Sequence, residues 1–415
     1  MSVVQPYMAA SLASDVYDIQ DGNERALRRI LANHPELAQS TAASKVLKAD
    51  VGFRMINTRD NFCLCARGAN EFKNDVFLIF RGTTSSNYGA DWFTDARMGA
   101  TRMDGELVHI GFEHAFMSVR DDLQRFIDQH AKQLVHIHCI GHSLGGAVAT
   151  LAASWVKKHT GRAVRLYTFG APKVGFLDAF SSNLTRNIGH QNIYRVYHNC
   201  DPVPMVPLYP FTHAPLPGYG CHISYGSHFI SLGAHKVANY TRSVQTRGWR
   251  QLRVPPPIST NEQAVVRWLQ QNVPVNPLSP QTWEWISAGL SYVLKMVRGA
   301  VALLQTGFVV GFTLLDKIAW LLYHGLKVTG VIDTVINPVM DTVVNPIMDT
   351  VVNPIVGTAA NLIWLLVKKM MHAVKMKVLD KPEQLTESLM KTVLQRVMQH
   401  LNREAQQAIS QTIAR

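Results

Sequence analysis

Cysteine is scarce in this chain: five residues in 415. The number is odd and no pair has metal-ligand spacing, which excludes a disulfide-framed scaffold and a zinc-finger or zinc-ribbon module. Cys63 and Cys65 alternate along the strand-like NFCLCARG and read as buried thiols. The first 18 residues, MSVVQPYMAASLASDVYD, lack both a basic n-region and a sustained apolar stretch. A chain made in the cytoplasm without a cleavable signal peptide is therefore expected, and any export would take a signal-independent route. Acidic residues are also in deficit, 29 against 41 Lys plus Arg, for a net charge of +12. The surplus is spread out, with 26 basic and 19 acidic residues over 1–250 and 15 and 10 over 251–415. No Arg-rich arm or RNP-like aromatic motif accompanies it, so nucleic acid is excluded as a partner and an anionic membrane surface fits better. No spacing of His, Asp or Glu supports a calcium or zinc site, and no cofactor is expected.

What is present falls into zones. Over residues 1–250, candidate strands VFLIF (76–80), VHIHCI (135–140), VRLYTF (164–169) and IYRVYH (193–198) alternate with helical stretches such as AVATLAASWVKKH (147–159). That alternation implies parallel βαβ units and an α/β fold. Residues 251–282 are punctuated by VPPPIST and NVPVNPLSP, a Pro-rich linker in which NEQAVVRWLQQN forms a short helix. Residues 283–381 are hydrophobic and mainly helical. Within them GAVALLQTGFVVGFTLL (299–315) is an uncharged run of 17 residues, at the lower limit of a membrane span. An octapeptide repeat follows, IDTVINPV, MDTVVNPI and MDTVVNPI over 332–355, whose Asn-Pro pairs oppose one continuous helix. Residues 382–415 read as an amphipathic helix, with Met390, Leu394, Val397, Leu401 and Ala408 at helical spacing, suited to a partner helix or to the chain's own helical zone.

The chemistry-bearing pattern is GHSLGG, residues 141–146. G-x-S-x-G alone is a modest signal, but here a buried strand precedes it, a small-residue helix follows it, and glycines stand where side chains would clash in a sharp turn. Such a turn lifts the Ser143 hydroxyl clear and leaves the Leu144 backbone N–H at the helix start to hold an oxyanion. The serine needs a base and the base an orienting carboxylate, in the chain order Ser, Asp or Glu, His. Asp201 lies just past IYRVYH, where the catalytic edge of a parallel sheet would be. Its alternative is a turn residue before Pro202, and Asp178, the other acid between 144 and 250, belongs to the helical FLDAFSSNL. Four histidines follow. His213 lies in the loop PFTHAPLPG, His222 and His228 flank ISYGS, and His235 stands where SLGA gives way to the helical HKVANYTRSV. A histidine on the loop before a final helix can reach over the serine, so His235 is preferred and His228 is the alternative base. A second oxyanion donor is expected where VFLIF runs into Arg81, Gly82 and Thr83, since Thr83 offers both an N–H and a hydroxyl.

Six segments, FRGTTSSNYGADWFTD, VHIGFEHAF, IGHSLGGAVATLAA, LYTFGAPKVG, VYHNCDPVP and HKVANY, occur in the order found in class 3 lipases, the fungal-lipase-like α/β-hydrolases. The chain resembles that family over most of residues 50 to 240. The resemblance implies an α/β-hydrolase with a mostly parallel central sheet over 1–250 and ester hydrolysis on lipids through an acyl-enzyme. It implies Ser143, Asp201 and His235 as the triad and Thr83 with Leu144 as the oxyanion hole. It also implies a lid, SSNYGADWFTDARM, with Trp92 and Phe93 on its apolar side. The hydrophobic C-terminal zone sets the chain apart from secreted members. Bacterial lipases delivered by specialised secretion machines are similar in that respect, and an immunity or secretion protein would then be a partner.

The triad chemistry does not separate triacylglycerol, phospholipid and small soluble esters as substrates. In the C-terminal zone, Lys368, Lys369, Lys375, Lys377 and Lys381 follow the apolar LIWLLV, an arrangement suited to an anionic bilayer. The expected protein is a membrane-associated lipase or phospholipase. The alternatives are a membrane-perturbing toxin and a cytosolic esterase whose C-terminal helices form a buried hairpin.

Overall fold

The computed structural model describes residues 3–51, 58–83, 99–226, 231–253, 262–271, 275–276, 280–296, 313–323, 352–377 and 387–413. They divide into two units, one chiefly of residues 3–226 and 231–253 and one chiefly of 262–404.

The first unit contains eleven described strands: β1 (Ser44–Val51), β2 (Thr58–Arg67), β3 (Asp75–Phe80), β4 (Ala100–Met103), β5 (Glu106–His109), β6 (His136–His142), β7 (Ala163–Phe169), β8 (Gly175–Phe176), β9 (Ile193–His198), β10 (Phe211–Thr212) and β11 (Cys221–Ile223). Seven form the central sheet in the order β1-β2-β3-β6-β7-β9-β11. β1, β2 and β3 are antiparallel neighbours, and from β3 through β11 every pairing is parallel. A small antiparallel sheet, β10-β8-β5-β4, stands beside it. The mostly parallel central sheet expected from the sequence is present.

Both faces of the central sheet are covered, which is why its strands read as near-continuous apolar runs. Along β3, Val76, Leu78 and Phe80 enter one core while Phe77 and Ile79 enter the other. The first core is closed by the helices Ile110–His130, Leu144–Thr160 and Ala179–Ile188, the second by Pro6–Asp15, Glu24–Asn33 and Val237–Val244. Helix Leu144–Thr160 is buried from Leu144 through Val156. Its Gly and Ala residues let β3, β6 and β7 approach closely on one side and helix Ile110–His130 on the other. Lys157, Lys158 and His159 occupy the negative end of its dipole, and Gly161, at φ 66°, terminates it. All five cysteines are buried free thiols.

The second unit is helical: Glu262–Gln270, Pro280–Met296, Leu314–Tyr323, Val352–Ala373 and most of Glu387–Ile413. The short helix and the amphipathic C-terminal helix lie where periodicity places them, and Met390, Leu394, Val397 and Leu401 are buried. Leu362, Ile363, Trp364, Leu366 and Val367 are buried too, on a helix that packs against Pro280–Met296 and Glu262–Gln270. Lys369, expected to face lipid, is turned inward. Its ammonium donates to the Gln271 carbonyl at 2.8 Å and lies 5.1 Å from the Trp268 ring, whereas Lys375 and Lys377 are exposed. Lys317 is also buried and donates to Ser287 Oγ at 2.8 Å; burial lowers its pKa to about 8. Among the described residues no helix is long and apolar enough to cross a membrane. The run 299–312 and the repeat through Val351 lie outside the described residues.

Candidate active site

β6 ends at His142 and the next helix begins at Leu144, so Ser143 takes the whole turn, with φ 55° and ψ −130°. A non-glycine residue at positive φ is strained, and the packing around it must hold it there. The flanking glycines follow from contact distances. A Cβ on Gly141 would lie 2.3 Å from the Gly145 carbonyl oxygen, and one on Gly145 would lie 2.2 Å from that of Phe80. Strand, turn and helix are therefore packed backbone to backbone, and the Ser143 side chain stands half-buried at the C-terminal edge of the sheet.

Two other strand ends bring up its partners. Asp201 follows β9 and is 1% exposed; His235 follows β11 on a short 3-10 turn and is 5% exposed. The Ser143 hydroxyl lies 2.9 Å from His235 Nε2, and His235 Nδ1 lies 2.9 Å from Asp201 Oδ2 and 3.1 Å from Oδ1. The carboxylate fixes the proton on Nδ1 and leaves Nε2 as the acceptor that faces the serine. Burial pushes the Asp201 pKa up, but the His235 charge and hydrogen bonds from His235, Tyr240 and the Val203 N–H outweigh it and hold the carboxyl below its usual value. The Tyr240 hydroxyl donates to Oδ2 at 2.6 Å and the Val203 N–H to Oδ1 at 2.9 Å. Gly170, at φ +57°, leaves room for this carboxylate, since a Cβ there would lie 2.7 Å from Oδ2.

The loop that carries His235 is held from below by His198 at the end of β9. Its Nδ1–H donates to the Ala234 carbonyl at 2.6 Å, Nε2 accepts from Ser243 Oγ at 3.0 Å, and its ring stacks on Tyr240 at 4.0 Å. Sequence reading missed Tyr240 and His198. The one available signal was their place, a tyrosine one turn into the helix after His235 and a histidine just before Asp201.

Leu144 opens its helix, so its N–H has no carbonyl one turn back within that helix. Thr83 follows the end of β3 and is half-buried. Of the other histidines, His213 is half-buried against the Pro204 carbonyl at 2.8 Å and His222 lies on β11 against Tyr197. His228 and the lid residues Trp92 and Phe93 lie outside the described residues. The arrangement can generate an alkoxide-like nucleophile from a neutral hydroxyl without a metal ion, by passing its proton to an oriented imidazole.

Residues 77–211 match the class 3 lipase family. The chain is 38% identical over 140 residues to a secreted mono- and diacylglycerol lipase of Fusarium solani, a stretch that covers 32% of this chain and 40% of that protein. It is 33% identical over 116 residues to the toxin TseL of Vibrio cholerae, covering 27% of this chain and 16% of the toxin. It is 29% identical over 126 residues to the chloroplastic phospholipase A(1) DAD1 of Arabidopsis thaliana, covering 25% and 28%. The chain thus spans less than half the length of each of these relatives.

Proposed function

We propose, from the match of residues 77–211 to the class 3 lipase family, that the chain is a carboxylic ester hydrolase that cleaves acyl esters of lipids through an acyl-Ser143 intermediate. The observation that carries this reading is the unbroken chain Ser143–His235–Asp201, with both links at 2.9 Å, hung on a serine held at positive φ. Ser143 Oγ attacks the ester carbonyl carbon as His235 Nε2 takes its proton. The imidazolium that forms is stabilised by Asp201, and the oxyanion is received by the N–H groups of Leu144 and Thr83. Collapse of the tetrahedral species breaks the ester C–O bond as His235 returns the proton to the departing alcohol. Water, deprotonated by the same imidazole, then releases the fatty acid and restores the serine hydroxyl.

The relatives named as lipases and a phospholipase support a lipid ester over a small soluble one. Wild type and Ser143→Ala should be incubated with phospholipid vesicles, a diacylglycerol emulsion and a short soluble ester, and fatty acid and lysolipid release followed. Serine-dependent release from lipid is expected, reduced by about 10⁴-fold or more in Ser143→Ala. Activity that survives the substitution would remove Ser143 from the mechanism, and turnover of the short ester alone would remove the lipid.

A second reading is an antagonistic effector that reaches a foreign membrane, with an immunity or secretion protein as partner; the similarity to TseL favours it. Exposed Lys375 and Lys377 would then meet an anionic surface. Flotation with anionic but not neutral vesicles, and dye leakage caused by Ser143→Ala, are its expected results. Failure of both would leave the C-terminal helices without a membrane role.

A further inference from the structure

The elbow carries a second histidine that ester cleavage does not use. His142 immediately precedes Ser143 and is 4% exposed. Its Nε2 lies 2.8 Å from the backbone carbonyl oxygen of His235, and its Nδ1 lies 2.7 Å from the Tyr17 hydroxyl. A carbonyl only accepts, so Nε2 must carry the proton, and Nδ1 is then an acceptor that takes the Tyr17 O–H. Burial, followed by the nearby His235, drives the His142 pKa down to about 3 and keeps the ring neutral. The two histidine rings lie 4.7 Å apart.

Tyr17 also receives a hydrogen bond from the Gly82 backbone N–H. A Cβ on Gly82 would lie 2.1 Å from the tyrosine oxygen, so residue 82 must be glycine while Tyr17 holds this place. One polar chain therefore runs from Gly82, at the end of β3 beside Thr83, through Tyr17 and His142 to the backbone of His235. Its middle link comes from the turn Val16–Asp21, which follows helix Pro6–Asp15 and lies outside the class 3 lipase segment.

Resting on the reading of Ser143, His235 and Asp201 as a triad, we propose that Tyr17 and His142 are positioning residues that lock the base loop to the oxyanion strand. The N-terminal segment is thereby a working part of the active site. Base and oxyanion donor act on opposite ends of one reacting carbonyl, so their separation must hold within fractions of an ångström in the transition state. A hydroxyl shared between the two strand ends sets that separation through short, directional bonds. Without the Tyr17 hydroxyl, His142 Nδ1 is left without its donor, the ring is held at one end only, and the tie to residue 235 loosens.

The test compares Tyr17→Phe with Leu12→Ala, a core truncation in the neighbouring helix that touches no part of the chain of bonds. Tyr17→Phe should lower kcat by about 10-fold or more with KM nearly unchanged, because register acts in the transition state and not in binding. Leu12→Ala should lower Tm yet keep wild-type kcat well below that Tm. By NMR, the buried His142 Nε2–H should give an exchange-protected, downfield proton in wild type and Leu12→Ala that exchanges faster and moves upfield in Tyr17→Phe. His142→Gln, whose amide can still accept from Tyr17 and donate to the carbonyl, should retain more activity than His142→Leu. Wild-type kcat in Tyr17→Phe, with only a fall in Tm, overturns the proposal and leaves Tyr17 a packing residue. A wild type without any Ser143-dependent turnover instead overturns the triad reading, and the His142 proton then still reports whether the polar chain exists.

Discussion

The central sheet carries a buried acid–histidine cluster at each end, and only one of them has a serine. At the C-terminal edge, Asp201 meets His235 at 2.9 Å. At the opposite edge, Asp75 at the start of β3 lies 3.1 Å from His138 Nε2 and 3.2 Å from His136 Nδ1, and it also accepts the His136 N–H. Both carboxyls are buried, and in both the histidines overcome the upward push of burial and hold the pKa below normal. The difference lies in what surrounds the imidazole. His138 is stacked on Phe77 at 4.7 Å and on Tyr167 at 5.9 Å, with Nδ1 near the Tyr167 hydroxyl. The second nitrogen of His235 instead opens onto a strained serine. An oriented imidazole is a common structural device; of these two clusters, the one at the C-terminal edge faces a strained serine.

The largest effect should separate the two aspartates. Asp201→Asn is expected to lower kcat for ester hydrolysis by about 10⁴-fold, because the amide favours the wrong imidazole tautomer. Asp75→Asn should leave kcat within about twofold and lower stability by about 3 kcal/mol, since buried donors lose a charged acceptor. Steady-state kinetics and urea unfolding on both variants check this, and comparable kcat losses would erase the distinction between the ends. A smaller effect should unite them. A carboxyl with a depressed native pKa contributes stability that is complete above the ordinary aspartate value of about 3.9 and is lost as pH falls through the native value. Both variants should therefore lose less stability than wild type between pH 6 and acid. An Asp75→Asn protein with the wild-type acid limb would mean that Asp75 is not ionised in the fold.

Much of this was legible in order along the chain. β9 occupies the span of IYRVYH, and the strand-turn-helix context of Ser143 and the strand-end place of Asp201 follow from local pattern alone. His235 could be preferred only by its place before a helix, because four histidines shared the region. Tyr17, His198 and Tyr240 were invisible for a different reason. Their contacts join residues up to 125 positions apart, as between Tyr17 and His142, and no periodicity encodes a tertiary hydrogen bond. For Tyr17 the only traces were the x of G-x-S-x-G and the glycine of Arg81-Gly82-Thr83. In the second unit, LIWLLV has the composition of a lipid-facing run and equally of a helix core, and hydropathy does not distinguish the two solvents. Asp316 sits in the first turn of helix Leu314–Tyr323. Its carboxylate accepts the Thr313 N–H at 3.1 Å and its N–H donates to Thr313 Oγ at 3.2 Å, a capping box spelled TLLD.

The smallest predicted effect concerns a third cluster, in which the proportions are reversed. Asp75 is one acid shared by two histidines, whereas His34 is one histidine shared by two acids, with Nε2 3.0 Å from Asp15 and Nδ1 3.1 Å from Glu36. Both nitrogens can donate only if the ring is cationic. Burial would lower the His34 pKa, but the hydrogen bonds and charges of Asp15 and Glu36 outweigh it and raise the value to about 9. At Asp75 the balance runs the other way for His138, whose pKa is lowered chiefly by burial. A raised native pKa contributes stability that is fully present below the ordinary histidine value of about 6.5 and is lost as pH rises through about 9. Between pH 6.5 and 9.5, wild type should lose about 2 kcal/mol more than His34→Gln by urea unfolding. Equal losses would show that His34 stays neutral between its two acids. The number of carboxylates around an imidazole would then not decide its charge in this fold, and the contrast with His138 would rest on burial alone.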